Sequence, residues 1–352
     1  MDLFLFLGCI LLISIVLVYL GTIFTLYIRQ NPTSTPLTVS SESNKSIVTH
    51  TYLGTRGDMG NQLFQLACII AAGKRSHANI VFPARISLLP ISKLFDLSPF
   101  EWRDVIPDAT FYEYDNYEEI IIPEDGRIYD VRGYRQSYQY FEDFASVIRN
   151  TFVPRAEILE AVRDIVPKEY ITVHIRKGDY VKLMHKIPLL REFRRCQLEY
   201  YKAGIRELRE RYSDCPLLVC TDSPEWVTPL LSELDSNAMI APVPQGVNPK
   251  FSDFIVMYLA AGCVISNSSY SFWSSYLNPG RMIICPSPWW DSDGFIGTTL
   301  ALDSNLLHHP EWWLLDADTG KIVREPHSTV GDRPNNNHET LNIYRLARGL
   351  LL

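Results

Sequence analysis

Two adjacent cations, Arg176 and Lys177, directly follow the apolar, β-branched run Ile171–Ile175. A guanidinium offers a planar fork of N–H donors and an ammonium a point charge. The pair therefore suits a diphosphate, whose negative charge grows on the leaving group as a glycosyl bond breaks. Asp179, close behind, can orient the arginine or accept a proton. His174 belongs to the run itself and points opposite to Ile175 if side chains alternate. Two more segments carry related chemistry. Asn267-Ser268-Ser269-Tyr270-Ser271 opens a helical stretch, where hydroxyls and unpaired N–H groups can hold phosphate oxygens. Gly57-Asp58-Met59-Gly60-Asn61-Gln62 is a glycine turn feeding a helix start, another place for an anion. Each has a plain structural counterpart: a solvated ion pair at a strand end, routine Ser and Asn caps, an Asn N-cap after a turn. Single short motifs of this kind also match by chance.

The elements around these residues decide between the two readings. Apolar runs at 171–175, 217–221, 263–266 and 282–285 predict strands. Helical spacing predicts helices over 61–74, 193–212, 251–261 and 270–277. Strands alternating with helices imply an α/β fold with a parallel, doubly wound sheet. Ligands of such sheets bind outside the carboxyl ends of the strands. The residues just past those ends are Arg176 to Asp179, Asp222 to Pro224 and Asn267 to Ser269. All are polar, and they should converge on one edge.

The 352 residues suffice for two subdomains or one large α/β domain. A formal net charge of −7 argues against a nucleic-acid partner, which calls for a basic face. None of the seven cysteines falls into a C-x-x-C pair. Cys68 and Cys263 sit in apolar runs and read as small buried hydrophobes. A disulfide involving Cys196, Cys215 or Cys220 is compatible with an oxidising compartment. Asp291-Ser-Asp293 and Asp316-Ala-Asp318 lie away from the strand ends and read as loop carboxylates, so no metal is expected. His308-His309 reads as a surface pair. Tyr134 to Tyr140 and Trp289-Trp290 read as aromatic packing, with sugar stacking as the alternative.

Leu3 to Ile28 contains no charged residue. At 1.5 Å per residue it reaches roughly 39 Å, enough to cross a bilayer core. It reads as an uncleaved signal-anchor after a two-residue tip. Residues 29–50 read as a polar stem with a glycosylation sequon at Asn44. Residues 51–165 and 166–300 are expected as two halves, and 301–352 as a partly irregular C-terminal segment.

Three ordered blocks resemble the galactoside α-1,2-fucosyltransferase family. They are Gly57-Asp-Met-Gly-Asn-Gln-Leu-Phe-Gln-Leu-Ala67, His174-Ile-Arg-Lys-Gly-Asp-Tyr180, and Ser252-Asp-Phe254 with Ile265-Ser-Asn-Ser-Ser-Tyr-Ser-Phe-Trp273. The resemblance covers roughly residues 52–290. It implies a GT-B-like fold of two Rossmann-like halves, the first on the acceptor side and the second binding the donor. It implies inverting transfer from GDP-β-L-fucose to a glycan acceptor without a metal cofactor. It also implies a single-pass type II Golgi membrane protein with a lumenal catalytic domain. By the same resemblance, Arg176 clamps the diphosphate, Asp179 holds the site or contacts the donor, and Asn61 lies near the reacting centre. Asn267, Ser268, Ser269 and Ser271 contact donor phosphates, His174 and Lys177 belong to the donor block, and Asp222 meets the base or ribose. Lys177 stands where a second arginine is usual, which keeps the charge and loses the fork. Asp58 departs from the glycine block and is a candidate base for the acceptor hydroxyl. Two alternatives remain at this point: a binding protein without turnover, and a fucosyltransferase with a protein or glycan-core acceptor.

Overall fold

The computed structural model describes residues 45–55, 57–113, 117–177, 196–290 and 304–326. The Leu3 to Ile28 stretch, Asn44, Asp179, Asp291 to Asp293 and residues 327–352 lie outside the described residues. Among the described residues no helix is long and apolar enough to cross a membrane.

Two separate sheets, both almost wholly parallel, form the framework, as the two-half α/β expectation requires. The first joins β1 (Ile47–Thr49), β2 (Asn79–Phe82), β3 (Glu101–Trp102), β4 (Ala109–Phe111) and β5 (Ile128–Val131) in the order β3-β2-β1-β5-β4. The second joins β6 (Ile171–Ile175), β7 (Leu217–Thr221), β8 (Ala238–Ile240), β9 (Gly262–Val264), β10 (Met282–Ser287), β11 (Trp313–Asp316) and β12 (Ile322–Arg324) in the order β12-β11-β10-β9-β6-β7-β8. Only β12 runs antiparallel to its neighbour. In each sheet the chain winds outward from one strand and then restarts on that strand's other side. The resulting switch points lie between β1 and β5 and between β6 and β9.

Two sequence expectations change here. The stem was expected to run to His50, yet β1 is the central strand of the first sheet and fully buried. Its three residues are too few to show any periodicity against the polar residues before them. The segment after 300 was expected to be irregular, yet β11 and β12 extend the second sheet. Hydrogen bonding to β10 supplies the order there, not a local pattern.

Among the described residues, the helices of seven residues or more are α1 (Met59–Arg75), α2 (Ala145–Thr151), α3 (Ala156–Arg163), α4 (Leu198–Arg211), α5 (Pro249–Leu259) and α6 (Ser269–Tyr276). Helix α1 is buried nearly all round rather than on one stripe, which marks a central helix. It lies between the first sheet and α6. Phe64 of α1 meets Phe272 at 4.8 Å and Trp273 at 5.1 Å between ring centroids. One hydrophobic core therefore runs through both halves, from Val48 through Phe64 and Trp273 to Cys285. A second core, with Val173, Val219, Val264 and Ile284, fills the opposite face of the second sheet under α4. Alternation along the strands divides their residues between these cores.

Gly60 sets how closely α1 and α6 approach. A Cβ there would stand 2.5 Å from the Ser269 carbonyl carbon and the Tyr270 nitrogen, which are backbone atoms. Overpacking of this kind costs about 1–3 kcal/mol. Gly60→Ala is therefore expected to lower the melting temperature by several degrees, read by differential scanning calorimetry. An unchanged melting temperature would show that the helices can separate without penalty.

Candidate functional site

The second switch point brings together the carboxyl ends of β6 and β9, and with them Arg176, Lys177, Asn267 and Ser268. Asp222, just past β7, faces the same edge. Its carboxylate has two tasks. Oδ2 pairs with Arg176 Nη1 at 3.0 Å, and Oδ1 accepts the Lys177 backbone N–H at 3.0 Å. Asp222 thus positions the arginine, a role that the sequence reading, which sent it to the base or ribose, did not assign. The strand end itself is tied down by Thr221 Oγ1, which donates to the Ile175 carbonyl at 2.8 Å. The Lys177 ammonium lies 3.9 Å from the Trp226 ring centroid, a cation–π contact that steers its charge.

His174 is buried, and its Nδ1 lies 2.8 Å from Ser266 Oγ. Burial, reinforced by the Arg176 charge, brings its proton affinity down to about 3. It is neutral at physiological pH and links β6 to the segment after β9. Asn267 is also buried, and its amide donates to the Trp289 carbonyl at 3.3 Å. Ser268 caps α6. Ser271 is fully buried, with its hydroxyl directed at the carbonyls of Ser266 and Ser268. Its side chain braces the turn, and only the opening residues of α6 face the edge.

Asn61 bridges the halves. Its Oδ1 accepts from Gln136 Nε2 at 2.5 Å in the first half and from Ser269 Oγ at 2.9 Å in the second. Asn61 was expected as a possible N-cap, but Asp58 caps α1 and Asn61 sits inside its first turn. That frees the amide for the cleft. Gly57 makes room for it: φ is +77°, and a Cβ would stand 2.5 Å from Asn61 Nδ2. Asp58 Oδ2 makes a second cross-half link, to Lys250 Nζ of α5 at 2.7 Å. Burial opposes ionisation of Asp58, but the Lys250 bond, the Met59 N–H and the Arg176 charge outweigh it and lower its proton affinity. A general base works best with a pKa near the working pH, so the Lys250 bond must loosen before Asp58 could act as one.

Asp253 was quoted within a sequence block and given no role. It is the most perturbed carboxyl near this edge. Burial and the neighbouring Asp222 charge push its pKa up to about 7, against an opposing hydrogen bond from the Thr221 backbone. No sequence pattern distinguishes it, because its burial comes from α5 packing under β7.

The profile of glycosyl transferase family 11 matches residues 26–313. The chain belongs to that family. Among curated relatives, an Escherichia coli alpha-1,2-colitosyltransferase is 30% identical over 166 residues, 46% of this chain and 56% of that protein. A Bos taurus galactoside 2-alpha-L-fucosyltransferase, SEC1, is 21% identical over 287 residues, 78% of this chain and 76% of that one. The match thus spans little more than half of the first relative and about three quarters of the second. Among solved structures, NodZ alpha-1,6-fucosyltransferase soaked with GDP-fucose aligns at a TM-score of 0.42 and 15% identity. That alignment covers 67% of this chain and 93% of NodZ.

The remaining candidates fall elsewhere. His308 and His309 are buried rather than a surface pair. His308 Nε2 lies 3.1 Å from the Pro286 carbonyl, and His309 sits 3.6 Å from Glu142 among Tyr138, Tyr276 and Trp312. The cause is the docking of the segment that leads into β11. Asp316 Oδ1 accepts from Asp318 N–H, Thr319 N–H and Thr319 Oγ1, so this Asp-x-Asp closes a hairpin turn. Among the described residues no group of three His, Cys, Asp or Glu side chains is placed to hold a metal. Among the described residues the six cysteines form no disulfide with one another, Cys196, Cys215 and Cys220 included.

Because the folded-state pKa of Asp253 is raised from 3.8 to about 7, its contribution is fully present below the unfolded value. It is lost as pH rises through the folded one. Asp253→Asn removes this dependence. Its melting temperature should exceed that of the wild type by an increasing margin between about pH 4 and pH 8, amounting to on the order of 2–4 kcal/mol at the top. A margin that stays constant across that range would place Asp253 in an ordinary, solvated environment.

Proposed function

We propose that the chain transfers L-fucose from GDP-β-L-fucose to the 2-hydroxyl of a terminal β-galactoside, forming an α-linkage with inversion. The observation that carries this reading is the Arg176–Asp222 pair at a topological switch point, with Asn61 of the opposite half bonded across the cleft. A diphosphate at that edge meets the Arg176 fork, the Lys177 charge and the N-terminal end of α6 at Ser268 and Ser269. All three stabilise the charge that develops on departing GDP. Family membership and the galactoside-directed relative support the sugar and the linkage. Asp253, once ionised, has two acceptor oxygens, which match the adjacent N–H donors on the pairing edge of guanine.

On this reading Asn61 orients the reacting groups, and Asp58 or Asp179 takes the proton of the acceptor hydroxyl. The apolar stretch Leu3 to Ile28 anchors the enzyme in the Golgi membrane in type II orientation, with Asn44 in the lumenal stem open to glycosylation. Transfer of colitose in place of fucose is the second reading, favoured by the 30% identity to the colitosyltransferase. A panel of GDP-sugars assayed for GDP release separates the two.

Charge-assisted hydrogen bonds contribute about 1.5–3 kcal/mol each. Arg176→Ala is therefore expected to weaken GDP-fucose binding by roughly 10- to 150-fold, measured by calorimetric titration. Indistinguishable affinities for wild type and variant would overturn the donor-site assignment.

A further inference from the structure

The first sheet has a switch point of its own, between β1 and β5. It is built up as carefully as the donor edge. Asp130, the third residue of β5, is fully buried. Its Oδ1 accepts the Thr51 N–H at 2.8 Å, and its Oδ2 accepts Thr51 Oγ1 and Arg132 Nε, both at 2.5 Å. This grip fixes the Arg132 guanidinium 4.5 Å from the Tyr52 ring centroid and 5.8 Å from that of Tyr112. The two tyrosines come from different connections, after β1 and after β4, and both are 52% exposed. By contrast, Phe64, Phe82, Phe95, Phe141 and Phe152 of this half are fully buried.

A buried carboxylate thus aims an arginine that holds two exposed aromatic rings in place. The Arg132 charge is matched by Asp130. The tyrosine faces offer flat apolar surface, and the guanidinium and phenol groups offer hydrogen bonds around it. That combination matches a neutral pyranose, which has C–H groups on its faces and hydroxyls at its rim.

The loop leaving the cluster leads to the reacting centre. The Gly133 carbonyl lies within hydrogen-bond distance of His50 Nε2, at 3.0 Å, and accepts from Gln65 Nε2 at 3.2 Å. Three residues later, Gln136 donates to Asn61. Four Cα–Cα steps lead from Arg132 to Gln136, a span of at most about 14 Å. An acceptor whose terminal galactose lies at Asn61 can therefore extend toward the tyrosines.

We propose that Tyr52, Tyr112 and Arg132 form the subsite for the sugar next to the terminal galactose of the acceptor. This rests on the galactoside reading above and adds the determinant of acceptor length.

The test compares two acceptors, methyl β-galactoside and the disaccharide Galβ1-3GlcNAc, on the full chain and on Tyr52→Ala, Tyr112→Ala and Tyr52→Phe. Loss of one stacking face should raise the disaccharide KM about tenfold in either alanine variant. The KM values for methyl β-galactoside and GDP-fucose should stay within about twofold, a change worth less than RT. Tyr52→Phe, which keeps the ring, should retain most of the disaccharide preference. Equal losses on both acceptors, or no loss on the disaccharide, would overturn the subsite. Saturation-transfer NMR with the disaccharide gives an independent reading. If the wild type binds it, shows no turnover with either galactoside and loses the signal in Tyr52→Ala, the transfer reading fails and the subsite stands. If binding persists unchanged in both alanine variants, the subsite fails whatever the turnover.

Discussion

The contact between Gly60 and the backbone of Ser269 and Tyr270 is the constraint on which the rest of the structure depends. It lets α1 and α6 approach until Phe64 enters the aromatic cluster of Phe272 and Trp273. It also places Asn61, the next residue, against the Ser269 hydroxyl. One small residue therefore serves packing and geometry together. The helix that carries the cleft-facing amide of the first half is pressed onto the helix that opens the donor edge of the second. Because one hydrophobic core continues across this contact, the two halves form one packed body.

The polar edge of the second sheet was legible in the sequence because parallel strands announce themselves as apolar runs and polar residues past their ends can be read off directly. Arg176, Asn267 and Asp222 could be placed in this way. The partners that give those residues their roles could not. The Asp222–Arg176 pair joins positions that are distant in sequence, and Asn61 meets Gln136 and Ser269 only once the two halves are packed. The Gly57 to Asn61 block was visible as a glycine turn. Its reason, a helix contact too close for a Cβ, is purely tertiary. Residues such as His308, His309 and Ile47–Thr49 were misjudged for a related cause: each is buried by elements that no local window contains. Asp253 belongs with them, since its environment comes from the underside of β7.

The two sheets repeat one device. In each, the chain reverses its direction of winding, and the strands on either side of the reversal open a crevice at their carboxyl ends. In each, an aspartate near that crevice holds an arginine by a carboxylate–guanidinium bond, Asp222 with Arg176 and Asp130 with Arg132. The surroundings differ, and so does the chemistry. Arg176 stands beside a second cation and a helix start, an environment for an anion. Arg132 is held between aromatic rings, an environment for an uncharged ring. A common scaffold thus sets two arginines in different chemical surroundings.

The dual grip of Asp222 has a consequence for the catalytic cycle. One carboxylate oxygen holds the Arg176 side chain and the other holds the Lys177 backbone, so the guanidinium already has a partner before a nucleotide arrives. An arriving nucleotide enters by partner exchange, sharing the guanidinium with the aspartate rather than filling an unmet demand for charge. The same exchange runs in reverse when the nucleotide departs, because the aspartate remains in place to reclaim the arginine. A transferase must release a tightly charged product at every turnover. Here the residue that preorganises the clamp also acts as the competitor that empties it.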